Sequence, residues 1–523
     1  MQRLLSTNIL FLAAALCAAQ APTVEWTRAL GGTSDDEPLM MRATDDGGCL
    51  IVGNTLSNDG DVTGAHGDHD AWVLKLDASG TLLWQAALGG TGSDVGMGVL
   101  PLLNGQCVLV GRTYSSDGDV GSNQGSADAW VVKLDANQAI VWEHTYGGTS
   151  AEGFMDIRRT SDQGFIVCGG TASDDGDINT TQHGNGDAWV AKLGPGGGLQ
   201  WQNTYGGSAS DGFNRIVPAP DGGYLAAGIT SSTDGDVVGN HGQHDVWVVK
   251  LSSTGSLLWQ TCLGGSLMES SLSLEAMADG SFLLAGQTTS SDGDVATWHT
   301  GYEMGSPAPD GWLVKLDATG AVVWERCLGG SGTDARFVAC ESTDGRIALA
   351  GWMTSTDGDA TVTQLGGGDF WMAGLDATGT TVDWQLLRGG SNFDEPSAVA
   401  IPLDGGVLVA GRTLSNDGDV VGSHGASTAD IWVVKLGALI THTSAVDAPG
   451  PVLWPVPATD RLTIRTVSGA GLIRFIDAMG RSALEVPGRD TQQVVDVGSL
   501  ARGLYLVSYN TPQGRHTQRV VLE

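Results

Sequence analysis

The stretch Asp59-Gly60-Asp61-Val62, then Asp70-Ala71-Trp72-Val73-Leu74-Lys75-Leu76-Asp77, then Trp84 and Gly89-Gly90, decides the fold because it recurs along the chain. The Trp before Gly-Gly stands at Trp26, Trp84, Trp142, Trp201, Trp259, Trp324 and Trp384; subtraction gives spacings of 58, 58, 59, 58, 65 and 60. A second Trp follows the same rhythm, at Trp72, Trp130, Trp189, Trp247, Trp312, Trp371 and Trp432. Asp-Gly-Asp opens at Asp59, Asp117, Asp175, Asp234, Asp292, Asp357 and Asp417. A fixed period of this length marks one supersecondary unit repeated.

Each unit reads as four short strands. In the second copy the apolar runs Val99 to Leu103, Cys107 to Arg112, Ala129 to Leu134 and Ala139 to Tyr146 are bounded by Gly, Asn and Asp. That composition belongs to strands and turns, and no helical period competes with it. Seven four-stranded units predict an all-β chain, a seven-bladed β-propeller over residues 22–437. The repeat is out of phase with the ring: Val24 to Leu30 has the character of a fourth strand, and the last copy stops at its third, Ile431 to Leu436. The first segment is therefore expected to pair with the last and close two open edges.

Composition limits the function. Acids outnumber bases by 59 − 26 = 33, which excludes a nucleic-acid binder that works through a basic surface. Arg3 and the apolar run from Ile9 to Ala19 predict a signal peptide, residues 1–19, too short to span a bilayer. No later apolar run approaches membrane length. The mature cysteines, Cys49, Cys107, Cys168, Cys262, Cys327 and Cys340, read as buried thiols, because equivalent positions on adjacent blades lie too far apart for a disulfide; only Cys327 with Cys340 stays open.

The repeat Ser57-Asn58-Asp59-Gly60-Asp61-Val62, His66-Gly67, Asp70 to Asp77, Trp84 and Gly89-Gly90-Thr91 resembles the bacterial β-propeller repeat family SBBP and its secreted Bacteroidetes relatives, over about residues 24 to 437. The resemblance implies a propeller and export, and no single activity. Past a polar linker, 438–451, the composition changes: from Pro451 on there are eight Arg, no Lys and six acids. Short alternating strands predict a small β-sandwich over 452–523. Three stretches there resemble the C-terminal sorting domain of the type IX secretion system: Trp454-Pro455-Val456-Pro457, the run ending Gly480-Arg481, and Gly503-Leu504-Tyr505. That resemblance implies the secretion machinery as partner, passage through the outer membrane, and release or surface attachment.

Four acids recur per blade, 4 × 7 = 28 of 59, so the negative charge is patterned on loops. The Asp-Gly-Asp loops have two readings. Calcium takes carboxylate and carbonyl oxygens, and Asp59, Asp61 and Asp70, with Asp234, Asp236 and Asp245, are the residues that would supply them. The pattern decays between copies, where Val238 and Val421 fill a ligand position. The preferred reading is therefore an Asp turn that accepts backbone N–H bonds. No other cofactor is expected. His66, His183, His241 and His424 sit one per blade and cannot converge on zinc; a loop hydrogen bond is expected. Asp36, Asp94, Glu152, Asp211, Glu269, Asp334 and Asp394 stand four residues after each Gly-Gly. They either staple the blade junctions or ring a cation at the axis.

The periodic Trp pair per blade is expected to be core. Ligand candidates lie where the repeat breaks: Trp298 and Tyr302 in the insertion of the fifth copy, with His299 and Glu303, and Trp352. No nucleophile–base triad or metal-protease motif is present. The sequence favours a non-catalytic binder of a glycan, protein or other macromolecule. A polysaccharide-active enzyme with its site in the fifth and sixth copies is the second reading.

Overall fold

The computed structural model describes residues 21–438 and 452–522, apart from 300, 304–305, 363–364, 426–427, 455–457, 466–471, 478–481, 488–491 and 512–513. Residues 1–20 and most of the linker lie outside the described residues. Two compact units emerge, Met1–Ile440 and Thr441–Glu523.

The first unit holds seven antiparallel four-stranded sheets. The first blade is typical: an inner strand Asp36–Ala43, then Cys49–Thr55, Asp70–Leu76 and an outer strand Leu82–Leu88, paired in that order. The inner strands neighbour one another in turn, and that of the seventh blade, Asp394–Ala400, neighbours that of the first. The ring closes on itself. In the seventh blade Val24–Leu30 lies antiparallel to Asp430–Leu436, with Leu30 opposite Ile431 and Val24 opposite Leu436. The chain's beginning thus supplies the outer strand that its end lacks and covers the edge that Asp430–Leu436 would otherwise expose.

Burial explains the Trp pattern. The third-strand Trp72, Trp130, Trp189, Trp247, Trp371 and Trp432 are fully buried, with Trp312 close to it. Most also donate Nε1–H to a carboxamide or carboxylate on the outer strand, as Trp72 does to Gln85 at 2.8 Å and Trp247 to Gln260 at 2.9 Å. They are core, as expected, and the six cysteines are buried free thiols, Cys327 and Cys340 included. The outer-strand Trp does a different job: in five blades its ring lies across a glycine in the turn of the next blade, while the turn beyond Trp84 has Gln138, also with a positive φ, at that position. A Cβ on Gly80 would stand 2.6 Å from the Trp26 ring, and one on Gly320 2.6 Å from Trp259. Both glycines also have left-handed backbones, φ +77° and +88°, so only glycine fits.

The sixth blade breaks this rule for a reason. Its neighbour, the seventh, has no turn after its third strand, because the outer strand comes from the chain's beginning. Trp384 therefore has no turn glycine to cover and folds inward, 4 % exposed. It takes the space over Gly374, where five other blades pair a near-buried Lys with a turn Asp, as Lys75 with Asp46 at 2.8 Å. A Cβ at 374 would lie 2.1 Å from Trp384 Nε1.

The second unit is described by itself. Val452–Trp454, Arg461–Arg465 and Gln492–Asp496 form one sheet; Ser482–Pro487, Leu472–Asp477, Gly503–Thr511 and Gly514–Leu522 form the other. Leu462, Ile464, Ile473, Phe475 and Val507 are buried together, which makes a small β-sandwich.

Restoring the repeat's Lys at position 374 should overpack this pocket. Gly374→Lys is expected to destabilise the protein by about 1–3 kcal/mol, read from urea midpoints. Adding Trp384→Ala should recover part of the loss, and equal midpoints for Gly374→Lys and the natural chain would contradict the packing account.

Candidate functional site

The periodic acids meet at the seven blade junctions. The seam between the third and fourth blades shows the plan. Asp211 opens the fourth inner strand and is 5 % exposed. Its Oδ2 accepts the Gly207 N–H at 2.8 Å and the Ser232 hydroxyl at 2.7 Å, and its Oδ1 accepts the Thr230 hydroxyl. One carboxylate thus ties the incoming linker to the second strand of its own blade. The backbone N–H of Asp211 donates to Gly186 O of the preceding blade at 2.9 Å. The same bonds recur at Asp36, Asp94 and Asp394, with close variants at Glu152, Glu269 and Asp334. These acids are staples at the junctions; they do not ring the axis.

The Asp-Gly-Asp carboxylates complete the seam. Asp59 accepts the Thr33 N–H at 2.8 Å and its hydroxyl at 2.9 Å; Asp61 accepts the Gly31 N–H at 3.2 Å. Asp234 and Asp236 take the N–H groups of Ser208 and Gly206 at 2.7 and 3.3 Å. Asp70 accepts the His66 N–H at 2.6 Å and Asp245 the His241 N–H at 3.0 Å, with the His241 ring Nδ1 at 2.7 Å. The loop histidines thus bond within their own blades. Each of the six carboxylates named for calcium accepts at least one N–H, and among the described residues no group of three or more His, Cys, Asp or Glu is placed to hold a metal ion.

One oxygen in each blade has no hydrogen-bond donor: Oδ1 of Asp70, Asp128, Asp187, Asp245, Asp310, Asp369 and Asp430. The first glycine of Gly-Gly explains it. A Cβ on Gly89 would lie 2.5 Å from Asp70 Oδ1 and 2.6 Å from Asp94 Oδ2. The glycine's bare Cα–H therefore sits between two carboxylates and offers each only a weak contact. Burial pushes all seven of these third-strand carboxyls above the usual carboxylate range. For Asp70, Asp128, Asp187 and Asp310 the acid across the seam adds to the effect.

The break in the repeat makes a different place. The insertion of the fifth blade forms a two-stranded hairpin, Tyr302–Glu303 with Ser306–Pro307. Beside it a groove of about 360 Å³ opens between the fifth and sixth blades, lined by Thr297, His299, Trp324, Arg326, Asp359 and Thr380, among others. Arg326 is fixed: it donates to Asp359 Oδ1 at 3.1 Å and to the carbonyls of Gly379 and Thr380 at 3.1 and 2.9 Å. His299 is held by Asp310, with its Nδ1 2.9 Å away, and turns Nε2 toward Asp359 at 3.7 Å. Glu325 accepts the Trp312 Nε1–H at 2.9 Å.

Of the candidates from the repeat break, His299 lines this groove, and Trp298 and Trp352 do not. Trp298 packs on the core of the fourth and fifth blades and donates to Ala308 O at 3.2 Å. Trp352 meets Phe393 with the rings tilted by 56° and 4.7 Å between their centres. The Tyr302 and Glu303 side chains lie outside the described residues. The groove's own aromatic, Trp324, was grouped with the periodic core; its position beside the insertion is what sets it apart, and that was open to sequence reading. Of the sorting motif, Tyr505 is buried and its hydroxyl donates to Ala501 O at 2.9 Å, Gly503 opens a strand, and Trp454 pairs with Thr463. Pro455, Pro457, Gly480 and Arg481 lie outside the described residues.

Residues 452–523 match the family described as the secretion system C-terminal sorting domain. The tail marks the chain for export, to the outer surface or beyond it. For the rest, the chain is similar to the regulatory protein FlaEY of Caulobacter vibrioides, 28 % identical over 216 residues, which are 40 % of this chain and 22 % of that protein. Among solved structures it is similar to a protein of unknown function from Dyadobacter fermentans (10 % identity, TM-score 0.39, 80 % of this chain and 99 % of that one). It is also similar to the WD40 domain of Neurospora crassa Pan2 (9 %, 0.43, 80 % and 97 %) and to a puromycin hydrolase (13 %, 0.43, 86 % and 62 %). At these identities the likeness assigns no activity.

Two outcomes follow from the seams. Asp211→Ala leaves three donors without an acceptor and should destabilise by about 1–3 kcal/mol, measured by chemical denaturation; an unchanged midpoint would contradict the staple. The pH dependence has a definite sign. Carboxyls raised in the folded state bind protons more tightly there, so their contribution is present below the ordinary value of 3.8 and lost as pH rises through the folded values. The lowered carboxyls, such as Asp162 and Asp279 at about 2, act oppositely and withdraw stability below 3.8. The melting temperature should therefore rise on moving from neutral pH toward about pH 5 and fall steeply below about pH 3.

Proposed function

We propose that the propeller is an exported binding module that takes a glycan on the groove between its fifth and sixth blades. The observation that carries this is the groove's position. Most of the periodic carboxylates and Trp hold the ring together, and the groove, which takes two of them, Trp324 and Asp359, into its lining, opens beside the largest departure from sevenfold repetition. Trp324 supplies an apolar ring beside fixed polar groups, Arg326, Asp359 and the threonines at the rim, the combination that suits a sugar's apolar face and hydroxyl edge. The reading of a polysaccharide-active enzyme finds less support. Glu325 and Asp359, the carboxylates of the groove, both accept hydrogen bonds already, and the Cys327 thiol is buried, with burial raising it far from thiolate formation.

A glycan array probed with the mature chain tests the proposal. Binding that falls tenfold or more in Trp324→Ala, measured below the melting transition of that variant, is the expected result. Binding that ignores Trp324→Ala would move the site elsewhere, and release of reducing sugar from a bound polysaccharide would replace the binding module with an enzyme.

A further inference from the structure

The axis of the ring carries a second cluster, unrelated to the repeat. The inner strands hold few charged side chains toward their far ends, yet Arg42 of the first blade, Arg158 of the third and Arg215 of the fourth line one cavity there, with Ser273, Glu275 and Ser397. In a chain of net charge −33, three guanidinium groups in one channel are a local reversal of sign.

Their partner is Asp156, fully buried. Its Oδ1 accepts from Arg42 across the axis at 3.3 Å, from Arg158, and from the Ile157 N–H at 2.9 Å; its Oδ2 accepts the Ile216 N–H of the next blade at 3.1 Å. That carboxylate is full. Donors remain: Arg42 Nε is buried with no hydrogen-bond partner, and Arg215 spends its Nη1 on Asn214 O at 2.8 Å and feels Asp156 only through space, with no salt bridge among the described residues. Three guanidinium groups against Asp156 and Glu275 leave 3 − 2 = 1 positive charge. Glu341 is not part of the cavity lining; it acts on Glu275 from outside and accepts the Ala278 N–H at 2.7 Å. Burial depresses the Arg215 guanidinium and raises the Glu275 carboxyl. The first is relieved by a bound anion, and the second lowers the repulsion such an anion would meet.

The geometry points to a site in the axial channel for one small monovalent oxyanion of the carboxylate class, held by Arg42, Arg158 and Arg215. The planar fork of a guanidinium matches a carboxylate's two oxygens, and the single excess charge matches one anion. The site is separate from the outer groove, so either can fail without the other.

The test uses the full chain and acetate as the probe. Melting temperature is followed against acetate at constant ionic strength, with chloride and inorganic phosphate as the other arms. Acetate should raise it saturably, as binding to the folded state alone requires, and Arg215→Gln should remove the increment. Arg158→Lys keeps the charge and loses the fork; it should weaken acetate on the order of tenfold and keeps the test open if Arg215→Gln does not fold. No increment with acetate, an equal increment with chloride, a response to phosphate alone, or an unchanged increment in both variants would each overturn the assignment.

Discussion

A carboxylate that accepts N–H groups from the linker entering its blade is the bond on which the ring depends. Hydrophobic burial packs each sheet against the next, but apolar contact has no direction and would let blades slide. The seam acids, Asp36 and its six counterparts, add direction. Each joins a Gly-Gly linker to a second strand, and the backbone N–H of the same residue reaches the preceding blade. Blade angle is thereby set by hydrogen bonds of fixed length, and the same angle repeated seven times closes a circle. The glycine between two carboxylates is part of that geometry, since any side chain there would push both acids away.

The arrangement also accounts for the chain's composition. A charge of −33 suggests a surface built for solubility or for a cationic partner. Much of it instead works inside the seams as acceptor capacity for N–H groups that no sheet can satisfy. Buried carboxylates at close quarters are tolerated because most of their oxygens have donors and because the acids can bind protons.

Sevenfold repetition made the ring legible: strand number, the closing clasp, the core Trp and the seam acids all appear as columns when the copies are aligned. The features that did not repeat were harder to read. Gly374 stands out as a missing Lys, yet its cause is Trp384, whose inward turn follows from the absence of a turn in the next blade. That link runs between residues that no column compares. The axial Arg42, Arg158 and Arg215 occupy positions filled elsewhere by Leu100, Val217, Gly98 or Ala398, so an alignment treats them as noise; only the fold brings them together across the channel. The insertion was visible as a break, but Trp298 packs on the core, and the groove formed beside it on Trp324.

The clasp has a consequence in time. Val24 and Leu436, paired in one sheet, are 412 positions apart (436 − 24). A ring sealed by its first and last strands cannot be finished until almost all of it is available, and contacts between such distant segments form late. Until the last blade has been made, the seventh sheet lacks its partner and the ring stays open. Sealing is therefore the final step of the propeller's folding, when the last blade meets the strand made first.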